Sequence, residues 1–304
     1  MERKIDLRAL NIFLLLALVG TFVIVLVLDF GSFIAENPGV APVAWRVDRN
    51  IVNWTDDGPA KVTAAIISCV ASVVFFVMGN KYNVIRKHKQ EKQLATQIYL
   101  SLVYLGIARL FEAYFIVSDS DLRGMVYSVG KYYIVLDLLG VILFVLVSSE
   151  VFLQMDFPET SRFPDFLRII VVASVFIALS ALFLEYAPAG IEDLLDWCVI
   201  GASIVVFLII GVILIAICVK IIRLYNRLSG QENRGAILVI GAQLLLFIVS
   251  MFILIYLEMG PGDALDYYLR AARCGLMLVI ASLYMLAFIK PAMKKGKEID
   301  SRSP

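Results

Sequence analysis

Long apolar runs, rather than an interleaving of apolar and polar positions, dominate this chain. A soluble core would mix the two at helix or strand period. Here the apolar residues collect into runs of about twenty, the length that crosses a bilayer core. The runs fall at roughly 9–30, 62–79, 94–117, 125–153, 166–187, 196–220, 236–258 and 271–290. Barrel strands would be about ten residues long and would alternate in polarity. The pattern therefore predicts an all-α polytopic membrane protein, a bundle of about eight transmembrane helices forming a single domain over residues 1–304. The first run follows a short charged leader, is longer than a signal-peptide core, and ends at Asp29-Phe30-Gly31 without a small-x-small cleavage pattern. It is read as a retained helix.

Composition agrees with the pattern. Hydrophobic residues make up 61% of the chain and charged residues 17%, against about half and a quarter in soluble domains. The net charge of +1 gives no global field for nucleic acid. Four cysteines, Cys69, Cys198, Cys218 and Cys274, stand far apart within or at the ends of apolar runs, and their spacing suggests neither metal nor a disulfide framework. The single histidine, His88, lies in a basic segment, which excludes chemistry needing several histidines.

Lysine and arginine set the expected orientation. With the N-terminus inside, cytoplasmic segments hold 19 basic residues and outer segments hold six: Arg46, Arg49, Lys61, Arg123, Arg270 and Arg273. This is the positive-inside signature, and it predicts a multi-pass cell-membrane protein with both termini cytoplasmic. The stretch from Lys81 through Arg86, Lys87 and Lys89 is read first as a topology signal and second as a patch attracting anionic lipid. The outer connection 31–61 carries Trp45 and Trp54, and its middle is expected either to form a short interfacial helix or to fold as an ordinary loop. Asn53-Trp54-Thr55 in the same segment fits a glycosylation sequon. No span is cut by an internal proline, so the broken helices of many ion-coupled transporters are not evident.

Charges inside a span are functional suspects by default. Arg109 and Glu112 are three apart in the third run, so they share a helical face and can pair. Lys131 and Asp137 lie in the fourth. Counting inward from the short link between these runs puts Glu112 and Lys131 roughly 10 Å deep, with Arg109 and Asp137 roughly 14 and 19 Å deep. Glu112 is therefore expected to pair with Lys131, with Arg109 and Asp137 in the same cluster. Tyr114, Tyr127 and Tyr133 add hydroxyls nearby. Two readings fit these seven residues: a salt-bridge network that fixes helix register, or a ligand-binding pocket open to the outside. No catalytic elbow, zinc-protease motif or phosphate loop is present, and no cofactor, metal or catalytic residue is expected.

The layout resembles the multi-helix membrane sensor regions found ahead of histidine kinases. The shared features are short loops, a polar outer layer and a basic exit after Ala287-Phe288-Ile289-Lys290. The likeness is architectural and carries over no functional residue. Few residues follow the basic exit, so no output domain is expected. The reading is a membrane sensor or accessory subunit that binds something from the outer face and acts through a protein partner. A small-solute transporter or channel is the alternative, and an intramembrane enzyme the third.

Overall fold

The computed structural model describes residues 7–36, 47–86, 92–118, 130, 132–152, 163–183, 190–227, 231–259, 264–284 and 286. Among these residues the chain is almost wholly helical. The helices are α1 (Leu7–Glu36), α2 (Arg49–Asn53), α3 (Gly58–Arg86), α4 (Lys92–Val117), α5 (Tyr132–Phe152), α6 (Phe163–Leu182), α7 (Glu192–Arg227), α8 (Gln231–Met259) and α9 (Ala264–Tyr284). Among the described residues, each apolar run read from the sequence overlaps one of the long helices. Four of them contain stretches long and apolar enough to cross a bilayer: Ile12–Ala35, Gly58–Asn83, Thr96–Val117 and Leu208–Arg227.

Several helices overrun their apolar runs at one end or both. α1 continues to Glu36, so the first residues of the expected loop 31–61 are helical, and α9 begins at Ala264, seven residues before its run at 271. The reason is that lipid dictates where apolar side chains must stop, whereas the backbone continues its hydrogen-bonded ladder wherever no breaker intervenes.

α5 occupies the centre. Every described side chain on it from Tyr132 to Val145 is buried except the half-buried Ile134. A helix that is apolar on all sides belongs inside a bundle. α4 packs between α3 and α5, while α9 packs against α3 and α8. Small residues let α4 approach its neighbours. Ser72 Oγ donates to the Gly106 carbonyl at 2.8 Å and Ser101 Oγ to the Gly140 carbonyl at 2.6 Å. A Cβ on Gly140 would sit 2.6 Å from Leu105 Cγ, so only glycine admits this contact between α4 and α5.

The outside of the bundle is apolar. Leu15, Leu16, Val19, Val23 and Val27 of α1 are exposed, as are Ile66, Val70, Val73 and Val77 of α3 and Leu208, Val212, Ile215 and Ile222 of α7. Continuous stripes of this kind need a non-aqueous solvent, and they mark a protein embedded in a membrane. Of the basic patch on α3, Lys81 is exposed, the side chain of Arg86 is not described, and Lys87 and Lys89 lie outside the described residues.

Candidate functional site

Four helices and one short strap converge on a polar column inside this apolar bundle. Its deepest tier is a ring of four charges. Arg109 and Glu112 come from α4, Asp137 from α5 and Arg273 from α9, and all four side chains are fully buried. The helix ends explain why they meet. Arg273 is nine residues beyond Ala264 and Arg109 eight before Val117, which puts both roughly 12 to 14 Å in from the same end of the bundle.

Each arginine touches both acids. Arg109 Nη1 donates to Glu112 Oε2 in a short contact, and Arg109 Nη2 lies 2.7 Å from Asp137 Oδ2. Arg273 Nη1 donates to Glu112 Oε1 at 3.3 Å, and its Nη2 pairs with Asp137 Oδ2. Signs alternate around the ring, so it is neutral as a whole. Cys274 lies against it. The Cys274 thiol donates to Glu112 Oε2 at 3.3 Å, accepts from Arg109 Nη1 at 3.4 Å, and lies 3.1 Å from Ser68 Oγ of α3. Three groups of the ring keep atoms with no hydrogen bond among the described residues: the Nε of Arg109, the Nε of Arg273 and Oδ1 of Asp137.

A second tier lies one helical turn nearer the α2 end. Arg270, three residues before Arg273, donates from Nη1 to Tyr133 Oη at 2.6 Å. Tyr133 is four residues before Asp137. The Arg270 guanidinium lies 5.5 Å from the centre of the Tyr133 ring and 5.8 Å from that of Phe115, within cation–π range.

The third tier joins the bundle to the strap formed by residues 47–57. Lys61 of α3 pairs with Asp48 at 2.7 Å and Asp57 at 2.8 Å, and its Nζ lies 4.9 Å from the centre of the Tyr267 ring. Asp48 also caps α2, accepting from the Asn50 backbone N–H at 2.8 Å. Burial works to raise the Asp57 carboxyl, but hydrogen bonds from Lys61 and Asn50 and the Lys61 charge outweigh it and hold the group below its ordinary value. Tyr267, Arg270 and Arg273 are spaced by three along α9, so one face of one helix carries all three tiers.

The sequence-derived candidates divide as follows. Arg109, Glu112 and Asp137 meet in the ring, and Tyr133 lies one tier above. Tyr114 is half-buried near the end of α4, its ring against Gly130. Lys131 and Tyr127 lie outside the described residues, and so does the expected Glu112–Lys131 pair. The cations that Glu112 meets among the described residues are Arg109 and Arg273. Arg273 was expected at an outer helix end and is instead buried in the ring. Cys274, Ser68 and Arg270 were missed as members of the column. No local signal placed Arg273 there: α9 starts before the apolar run, and Asp266, Arg270 and Arg273 are all buried on it. No protein-family model, curated protein or solved structure matches this chain.

Proposed function

We propose that the protein is an integral membrane sensor or accessory subunit, responding at its outer face and acting through a protein partner. The observation that carries this reading is the closed ring Arg109–Glu112–Arg273–Asp137 at the base of a polar column that begins at the surface strap. Apolar residues of similar volume are often as stable as a buried ion-pair network, or more so, so stability alone is a weak reason to keep one. Ionisable side chains at membrane depth mark functional sites by default. A neutral ring that ties three helices together has two natural arrangements, closed and opened, and an element with two arrangements is what a switch requires.

In this reading the closed ring is the resting state. A ligand entering from the outer face engages Arg109, Glu112 and Asp137, together with Tyr133, Tyr114, Tyr127 and Lys131, and competes with the pairs that hold α4, α5 and α9 together. The outer position of the strap and the cytoplasmic placement of the termini belong to the same proposal and rest on the basic-residue bias.

Affinity purification of the full chain from its native membrane, followed by reconstitution, tests the reading. One defined protein should co-purify in stoichiometric amount, and Asp137→Asn should alter its retention without abolishing folding. Solute flux into proteoliposomes containing the chain alone, abolished by Asp137→Asn, would replace the sensor with a transporter.

A further inference from the structure

We propose that the strap is a lipid-docking element, with the exposed side of α2 and its following turn seated in the interfacial layer of the adjoining leaflet. The proposal concerns docking alone and stands whether or not the sensor reading holds. It begins with how firmly the inner side of the strap is held. The Asp48 backbone N–H donates to the Val117 carbonyl at 3.0 Å, and Val47 pairs with Ser118 in an antiparallel bridge. Asp48 is buried against Lys61. Asn50 Nδ2 donates to Asp57 at 2.7 Å, and the Thr55 N–H donates to the Asn50 carbonyl at 3.0 Å. Gly58 lies so close beneath α2 that a Cβ there would fall 2.2 Å from the Asn50 carbonyl oxygen.

The outer side is mixed in character, with apolar and polar residues both exposed. Val52 is 70% exposed and Trp54 63%. Trp54 closes α2 in the left-handed region, at φ 55° and ψ 41°. A bulky side chain is rarely found there, and such backbone persists only where its surroundings over-determine it. The strap turns Asp48 inward and holds Val52 and Trp54 outward on a rigid base, among the exposed polar residues Arg49, Asn53, Thr55 and Asp56, a mixture suited to the interfacial layer.

Depth identifies the occupant. The strap is bonded to the last residue of the crossing stretch Thr96–Val117 and leads directly into the first residue of the crossing stretch Gly58–Asn83. It therefore sits where two spans leave the hydrocarbon, the level at which tryptophan concentrates in membrane proteins. An amphipathic segment with its apolar side turned to lipid is stable at that depth. Arg49, also exposed, lies within reach of lipid phosphate at the same level.

Tryptophan fluorescence tests this directly, because the chain has only three tryptophans. The full-length chain carrying Trp45→Phe and Trp197→Phe is reconstituted into phosphatidylcholine vesicles with bromine at shallow acyl positions, and into matched unbrominated vesicles. Docking predicts loss of most of the Trp54 emission in the brominated vesicles and weak quenching by aqueous iodide. Emission that ignores bromine and is quenched by iodide as freely as an exposed tryptophan overturns the proposal, and leaves the surface to a protein partner. If the double variant does not fold, the difference in emission between the natural chain and Trp54→Phe reads the same residue in the same vesicles.

Discussion

Asp137 shows what a single side chain contributes inside the bundle. It stands one helix away from Arg109 and one from Arg273, and it is the only acid that α5 supplies to the ring. Glu112 is the other acid, and its removal is a clean test because among the described residues it meets two cations, Arg109 and Arg273. Glu112→Gln keeps the shape and strands positive charge in a low-dielectric interior, an error worth about 3–5 kcal/mol. Adding Arg273→Met removes the surplus cation and leaves Arg109 facing Asp137 at 2.7 Å as one neutral pair. The double variant is expected to recover much of the loss, measured as unfolding free energy in lipid nanodiscs. A double variant less stable than Glu112→Gln alone would show that the ring does not act as a set of compensating charges. Gly58 offers a second test at this scale. Gly58→Ala places a Cβ 2.2 Å from a backbone oxygen that cannot move aside as a flexible side chain could. The strap should open while the bundle stays folded, seen as rapid hydrogen exchange confined to residues 48–55.

At the scale of elements, the strap and α9 show which features the sequence carries and which it hides. The pair Arg109 and Glu112 was legible because spacing by three on one helix is a local rule. Asp137 was legible by counting depth from a short link, which needs only that two consecutive helices run antiparallel. Arg273 was not, because apolar content marks where lipid begins and not where a helix begins. With α9 started at 271 the residue sits at a helix end, while with the true start at Ala264 it lies in the third turn, facing the ring. Which distant helix completes a buried cluster is a tertiary choice with no local signature. The strap was half legible. Trp54 suggested an interfacial turn, and Asp57 four residues before Lys61 was a local signal, but nothing local announced that Asp48 would close the cage around Lys61, which was counted as an outer charge. That cage makes the strap sensitive to acid. A carboxyl held below its ordinary pKa contributes stability that is complete above the unfolded value and is lost as pH falls through the folded one. For Asp57 the ordinary value is 3.8. Strap protection from hydrogen exchange should therefore hold from neutral pH down to about pH 4 and fail below it. Release that is already complete at about pH 6 would mean that this carboxylate does not hold the strap.

At the scale of the whole molecule, the remaining question is which way the column faces, and α3 relates the strap to the basic stretch. Its 29 residues span roughly 43 Å at 1.5 Å each, more than the ~30 Å hydrocarbon core, so its two ends emerge on opposite sides of the membrane. The strap lies at the Gly58 end and the basic stretch beginning at Lys81 at the other. Three of the six cations counted as outer have partners inside the fold: Lys61 in its cage, Arg270 on Tyr133, and Arg273 in the ring. The proposed orientation, with the Lys81 side in the cytoplasm, rests on the basic-residue bias of the sequence. Cysteines introduced singly at Thr55 and at Ile85 test the result. In a background with the four native cysteines changed to serine, Thr55→Cys should react with a membrane-impermeant maleimide added to sealed cells, and Ile85→Cys should react only after the membrane is opened. Thr55 suits the purpose because its side chain is exposed and the strap uses its backbone, whose N–H donates to the Asn50 carbonyl and whose carbonyl accepts from the Gly58 N–H. Because Cys274 contacts Glu112 and Arg109, the background should first be checked for folding against the natural chain. Labelling of Ile85→Cys from outside, with Thr55→Cys protected, would invert the protein, place the strap and its polar column on the cytoplasmic side, and end the proposal of a receptor for outer-face stimuli.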